Sequence, residues 1–157
     1  MRASAANTAD KTGEHGQSAP ILKRSAAMSE QLAILDQAHL SAMTGGDASL
    51  AIEVLEIFKE QAAMWERLMD PKAPAERWAD AAHTMKGAAL GVGAMRLARA
   101  CEATETLGRS GDVSPAAAAV SINSLRDELL PALEAAARTA HELALSGSFT
   151  RSKAPNS

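Results

Sequence analysis

From Asp47 to Leu143 the apolar residues return every three or four positions, and clusters of glycine and proline interrupt the pattern three times. The interruptions are Asp70-Pro71-Lys72-Ala73-Pro74, Gly91-Val92-Gly93, and the stretch from Gly108 through Asp112 to Ser114-Pro115. Proline disfavours helical geometry in the residue before it and lacks a backbone donor, while glycine takes the left-handed conformation that ends helices. Segments of helical period bury their stripes only against one another, which calls for helices joined by short turns around one core. Composition agrees: aromatic residues make up 3% of the 157, tyrosine is missing, and the apolar 46% is mostly Ala, Leu and Met, all good helix formers.

Residues 1–29, rich in Ala, Ser, Thr and Gly without a sustained period, are expected to be a disordered segment, and His15 within it to be inert. Ile34-Leu35 precede Asp36, a cap for a short helix over Gln37 to Met43 that Thr44-Gly45-Gly46 ends. Asp47 caps a long helix to about Met69, with Leu50, Val54, Ile57, Phe58, Trp65, Leu68 and Met69 as its core stripe. The next helix runs from about Ala75 to near Leu90. Another follows from about Ala94 to Leu107, burying Leu97, Cys101 and Thr104 or Leu107.

Ser114-Pro115 opens the last helix, Ser as cap and Pro in the first turn, with Val120 or Ile122, Leu125, Leu129, Leu133, Ala136 and Leu143 in register. Pro131 is expected to bend that helix without ending it. The tail, residues 146–157, is expected to be disordered. The fold class is thus all-α: an antiparallel four-helix bundle over residues 30–145 with a short additional N-terminal helix.

A formal charge of −3 with interspersed signs leaves no basic footprint for nucleic acid. No apolar run approaches the roughly 20 residues of a membrane span, and the N-terminus lacks the apolar stretch of a secretory signal. No membrane association and a cytoplasmic location are therefore expected. The single cysteine, Cys101, excludes an intramolecular disulfide and reads as a small core residue. His39 and His141 lack metal-ligand spacing and no glycine-rich nucleotide loop is present, so no metal or cofactor is expected on this chain.

The chemistry concentrates in the helix that follows Pro74. At about 100° per residue, Trp78, Ala82, Met85 and Ala89 share one stripe while Asp80, His83, Lys86, Gly87 and Leu90 lie on the other side, so His83 faces water. If the following turn centres near residue 94, antiparallel register puts Glu105 beside His83, with Glu102 as the alternative one turn away. A carboxylate accepting from one ring nitrogen fixes the tautomer and leaves the other nitrogen's lone pair free and more basic.

Lys86, three residues on, is placed to offset the charge of a phosphoryl group on His83. Gly87 costs on the order of 1 kcal/mol against alanine in a helix interior, which fits a need for clearance where a partner's active site approaches the ring. Asp80 reads as a solvated charge without a role. Leu90 and Met95, with Val92, are candidates for an apolar rim that docks a partner helix.

His83-Thr84-Met85-Lys86-Gly87-Ala88, followed by Gly93-Ala94, Leu97, Cys101 and Glu105, resembles the histidine-containing phosphotransfer domains of two-component phosphorelays. The resemblance runs from about Ile34 to about Ala137, including Ile34-Leu35-Asp36 and Gly45-Gly46-Asp47, and covers neither tail. Met85 stands where leucine is usual, and Ala88 and Ala89 where a small polar residue is frequent. Those changes remove a hydroxyl contact near the phosphate and bear on transfer rate.

The resemblance implies that His83 accepts a phosphoryl group on Nε2 from a receiver-domain aspartate and passes it to another receiver. It also implies that Lys86 assists, Glu105 contacts Nδ1 and Gly87 gives access. The expected protein is a monomeric phospho-carrier and not an autonomous kinase. Its partners are the receiver domains of hybrid histidine kinases and response regulators, and Mg²⁺ belongs to the receiver. The competing reading is an adaptor that docks on the same response regulators and sequesters them without phosphotransfer.

Overall fold

The computed structural model describes residues 31–149, among which there are five helices and no strand. They are α1 (Gln37–Met43), α2 (Ala48–Glu66), α3 (Ala75–Val92), α4 (Met95–Arg109) and α5 (Pro115–Ser146). The four long helices form an antiparallel bundle in which α2 packs on α3, α3 on α4, α4 on α5, and α5 back on α2. The short α1 lies against α3 and α2.

Local chemistry sets most of the boundaries. The side chains of Asp36, Asp47 and Ser114 accept from the backbone N–H groups of His39, Leu50 and Ala117, satisfying donors that the first helical turn leaves without partners. Gly93 ends α3 in the left-handed conformation at φ 86°. It also sits where a side chain would not fit, since a Cβ there would stand 2.8 Å from the Asp36 carbonyl oxygen. The strand of chain before α1 is latched at this turn: Asp36 N–H donates to the Gly93 carbonyl at 2.9 Å and Arg96 N–H to the Ala33 carbonyl at 3.1 Å. Pro131 lies inside α5 without ending it, as expected.

Several expectations are corrected. Helix α2 ends at Glu66, not Met69, because Arg67 begins a turn closed by Leu68 N–H bonding to the Trp65 carbonyl. Helix α3 continues past Leu90 to Val92, and α4 spans Met95–Arg109 and not Ala94 to Leu107. The largest difference is the buried face of α2. Leu50, Ile57 and Leu68 are exposed at 42%, 51% and 43%, while Ala48, Ala51, Leu55, Phe58 and Ala62 line the core. Alanines along the contact line let neighbouring backbones approach closely, and the bulkier residues flanking that line are left toward solvent. On α5, Ile122 is buried and Val120 is exposed. On α4, Thr104 is buried and Leu107 only partly so. The expected disordered segment at residues 1–29, His15 within it, and residues 150–157 lie outside the described residues.

Candidate functional site

Helix α3 buries Trp78, Ala82, Met85 and Ala89, the stripe its period predicts, and so turns His83 outward. The imidazole side chain is 61% exposed. Its Nδ1 lies 2.8 Å from Oε2 of Glu105, which projects from α4 across the hairpin and is only 16% exposed. An ionised carboxylate only accepts, so Nδ1 carries the proton and Nε2 keeps its lone pair. Glu102, the alternative partner, is exposed and makes no bond to the ring. Hairpin register thus brings together His83 and Glu105, two residues 22 apart in sequence.

Lys86 joins the same carboxylate: its Nζ donates to Oε1 of Glu105 at 2.9 Å. That bond, and then the one from His83, holds the Glu105 carboxyl below the usual carboxylate range against the opposing effect of partial burial. The same contact raises Lys86 above an ordinary lysine. Both oxygens of Glu105 are occupied, one by the ring and one by the ammonium. The result is an imidazole fixed in tautomer and orientation, with one ring nitrogen unengaged and able to act as a nucleophile.

Gly87 follows one turn after His83, and a Cβ built there meets nothing within 4 Å. Its lack of a side chain is therefore not required by the chain's own packing. Leu90 is 45% exposed, Met95 is half-buried and Val92 is buried, so Val92 drops out of the apolar rim. Burial pushes the Cys101 thiol up to about 12, which leaves it inert. Among the described residues no three His, Cys, Asp or Glu side chains are grouped to hold a metal ion. No helix among them is long and apolar enough to cross a membrane.

Three residues escape the sequence reading. Arg109, at the end of α4, places Nη2 2.8 Å from Oδ1 of Asp80 and 3.8 Å from Oε2 of Glu105. Asp80, expected to be a solvated charge without a role, is 70% exposed and is paired with Arg109. Gly108 explains how α4 comes so near: a Cβ there would lie 2.6 Å from Ala79 Cβ and 2.9 Å from Trp78 Cζ3. The register that finds Glu105 also finds Arg109, one turn further along α4 and facing the Asp80 turn of α3. Gly108 carries no comparable signal, since a helical glycine beside a turn reads as the end of the helix.

The model of the Hpt domain family matches residues 25–140. The crystal structure of the histidine phosphotransferase ShpA from Caulobacter crescentus is similar at 40% sequence identity with a TM-score of 0.58, covering 73% of this chain and 98% of that one. No curated relative matches.

Proposed function

The chain belongs to the Hpt domain family, whose business is phosphotransfer in two-component signalling, and from that premise we propose that His83 is the residue that carries the phosphoryl group. One observation supports this reading above the others: a 61% exposed imidazole whose Nδ1 is bonded to a mostly buried carboxylate. The donor is the aspartyl phosphate of a receiver domain and the acceptor is a second receiver, in the course of a multistep phosphorelay.

In the forward step the Nε2 lone pair attacks phosphorus in line with the acyl oxygen. The N–P bond forms as the P–O bond to the receiver's aspartate breaks, and the aspartate leaves as a carboxylate. The ring then carries positive charge, which the Nδ1–H bond to Glu105 stabilises. Lys86 keeps Glu105 ionised and adds positive charge near the incoming phosphoryl oxygens. Gly87 leaves the space through which the receiver's active site reaches the ring, and Leu90 with Met95 docks the receiver beside it. Transfer to the second receiver reverses these steps. Magnesium is expected on the receiver's side. We read residues 30–145 as the transfer unit of a monomeric, cytoplasmic carrier that neither binds ATP nor phosphorylates itself.

The test is to incubate the protein with receiver domains charged by acetyl phosphate and Mg²⁺, and to follow an acid-labile, base-stable label by phosphate-affinity gel. Label is expected on the wild type and none on His83→Gln. Label that persists in His83→Gln would move the site elsewhere. Binding to a receiver without transfer would favour the sequestering adaptor.

A further inference from the structure

Helix α2 carries a second apolar line that the bundle does not use. Leu50, Val54, Ile57, Gln61 and Met64, with Leu68 in the turn that follows, recur at spacings of four and three residues in strict alternation. That is the spacing of a two-helix seam, in which each side chain enters a gap on a facing helix. At about 100° per residue the line lies roughly 120° round α2 from the core residues Ala51, Leu55, Phe58 and Ala62. Leu50, Ile57, Met64 and Leu68 are exposed at 42%, 51%, 57% and 43%, and Val54 and Trp65 beside them are half-buried. No described helix covers this strip, and contiguous apolar strips on a surface mark sites of association.

The charges along the strip indicate what covers it. Glu56 pairs with Lys59 and Glu66 with Arg126 inside the chain, whereas Glu53, Glu60 and Arg67, on the flank of the seam away from the core, form no ion pair among the described residues. Turned antiparallel on itself, the seam is self-complementary: Leu50 meets Leu68 of the second copy, Val54 meets Met64 and Ile57 meets Gln61, each pair twice about one two-fold axis. The same register sets Glu53 against Arg67 of the second copy, again twice. It leaves one like-charged contact, Glu60 against its own counterpart at the axis. A parallel pairing would stack Gln61 on Gln61 and bring neither Glu53 nor Arg67 to an opposite charge.

We propose that this face of α2 is covered by a second copy of the chain, the two α2 helices running antiparallel. His83 is bonded to Glu105 of α4 and so belongs to the face that α3 shares with α4, which pairing through α2 leaves open. The single copy remains the unit of transfer. One helix pair stays under the roughly 800 Å² per partner of a standard interface, so the association is a weak one, in equilibrium with the single copy. The inference stands independently of His83 as the phosphoacceptor.

The experiment is sedimentation equilibrium of the full-length protein from low-micromolar to submillimolar concentration. The mean mass is expected to rise from 16.3 kDa toward twice that value. Ile57→Glu, which places a charge at an exposed position of the seam, should hold the protein at the single-copy mass throughout. Arg67→Glu and Glu53→Arg each set like charges opposite one another and should weaken the association about fivefold, while Glu60→Gln should tighten it about twofold by removing the repulsion at the axis. The double variant Glu53→Arg with Arg67→Glu reverses both pairs and should recover the wild-type association. A single-copy mass at every concentration overturns the proposal, and so does a double variant that associates no better than its parents. If the mass stays single and Ile57→Glu instead weakens binding to a receiver, the strip belongs to the receiver and the proposal falls as well.

Discussion

Gly87 and Gly108 lie on the two helices of one hairpin, yet a methyl group added to the first meets nothing within 4 Å and one added to the second stands 2.6 Å from Ala79 Cβ. The first belongs to the outward face of α3 and α4, with His83, Lys86, Glu105 and Arg109. The second belongs to the inward face, where Trp78 at 1% exposure and Met85 fill the core. Glycine in a helix costs backbone entropy in both places. At Gly108 the cost is offset within the molecule, by contact between helices. At Gly87 nothing among the described residues offsets it, which supports the proposal that the gap serves a partner.

Substitution at these two positions tests the comparison most directly. Gly108→Ala is expected to destabilise the fold by about 1–3 kcal/mol, because overpacking forces α4 away from Trp78 and Ala79. Urea unfolding measures it, and a neutral result would mean the hairpin is less tightly closed than it looks. Gly87→Ala is expected to stabilise by up to about 1 kcal/mol, the helix-propensity difference, while slowing transfer from a charged receiver. If transfer is unchanged, the open space at Gly87 serves no partner.

The smallest effect concerns the charges. Glu105 is held below the usual carboxylate range chiefly by Lys86, and a carboxyl with a lowered native value stabilises the fold above its unfolded value. The stability advantage of the wild type over Glu105→Gln should therefore stay level from neutral pH down to the ordinary glutamate value of about 4.3, and fade only as pH falls below it. Urea midpoints across that range check the sign. An advantage that disappeared between pH 7 and 5 would contradict the Lys86 contact.

The sequence by itself determined what depends on a few neighbouring residues. Asp36, Asp47, Ser114-Pro115 and Gly93 mark helix ends because caps and left-handed glycines act on the nearest backbone groups. The outward turn of His83 follows from helical period, and its meeting with Glu105 from period carried across a tight hairpin. Tertiary structure alone decided which edge of a wide apolar band is buried. On α2 that edge is Ala51, Leu55, Phe58 and Ala62 and not Leu50, Ile57 and Leu68, because burial depends on where α3 and α5 lie. It also decided that Gly108 is a contact and not a helix end. Local signals act through the adjacent backbone and can be read in one dimension. Contacts across helices depend on interaxial distance, which is set by the side chains of both partners together.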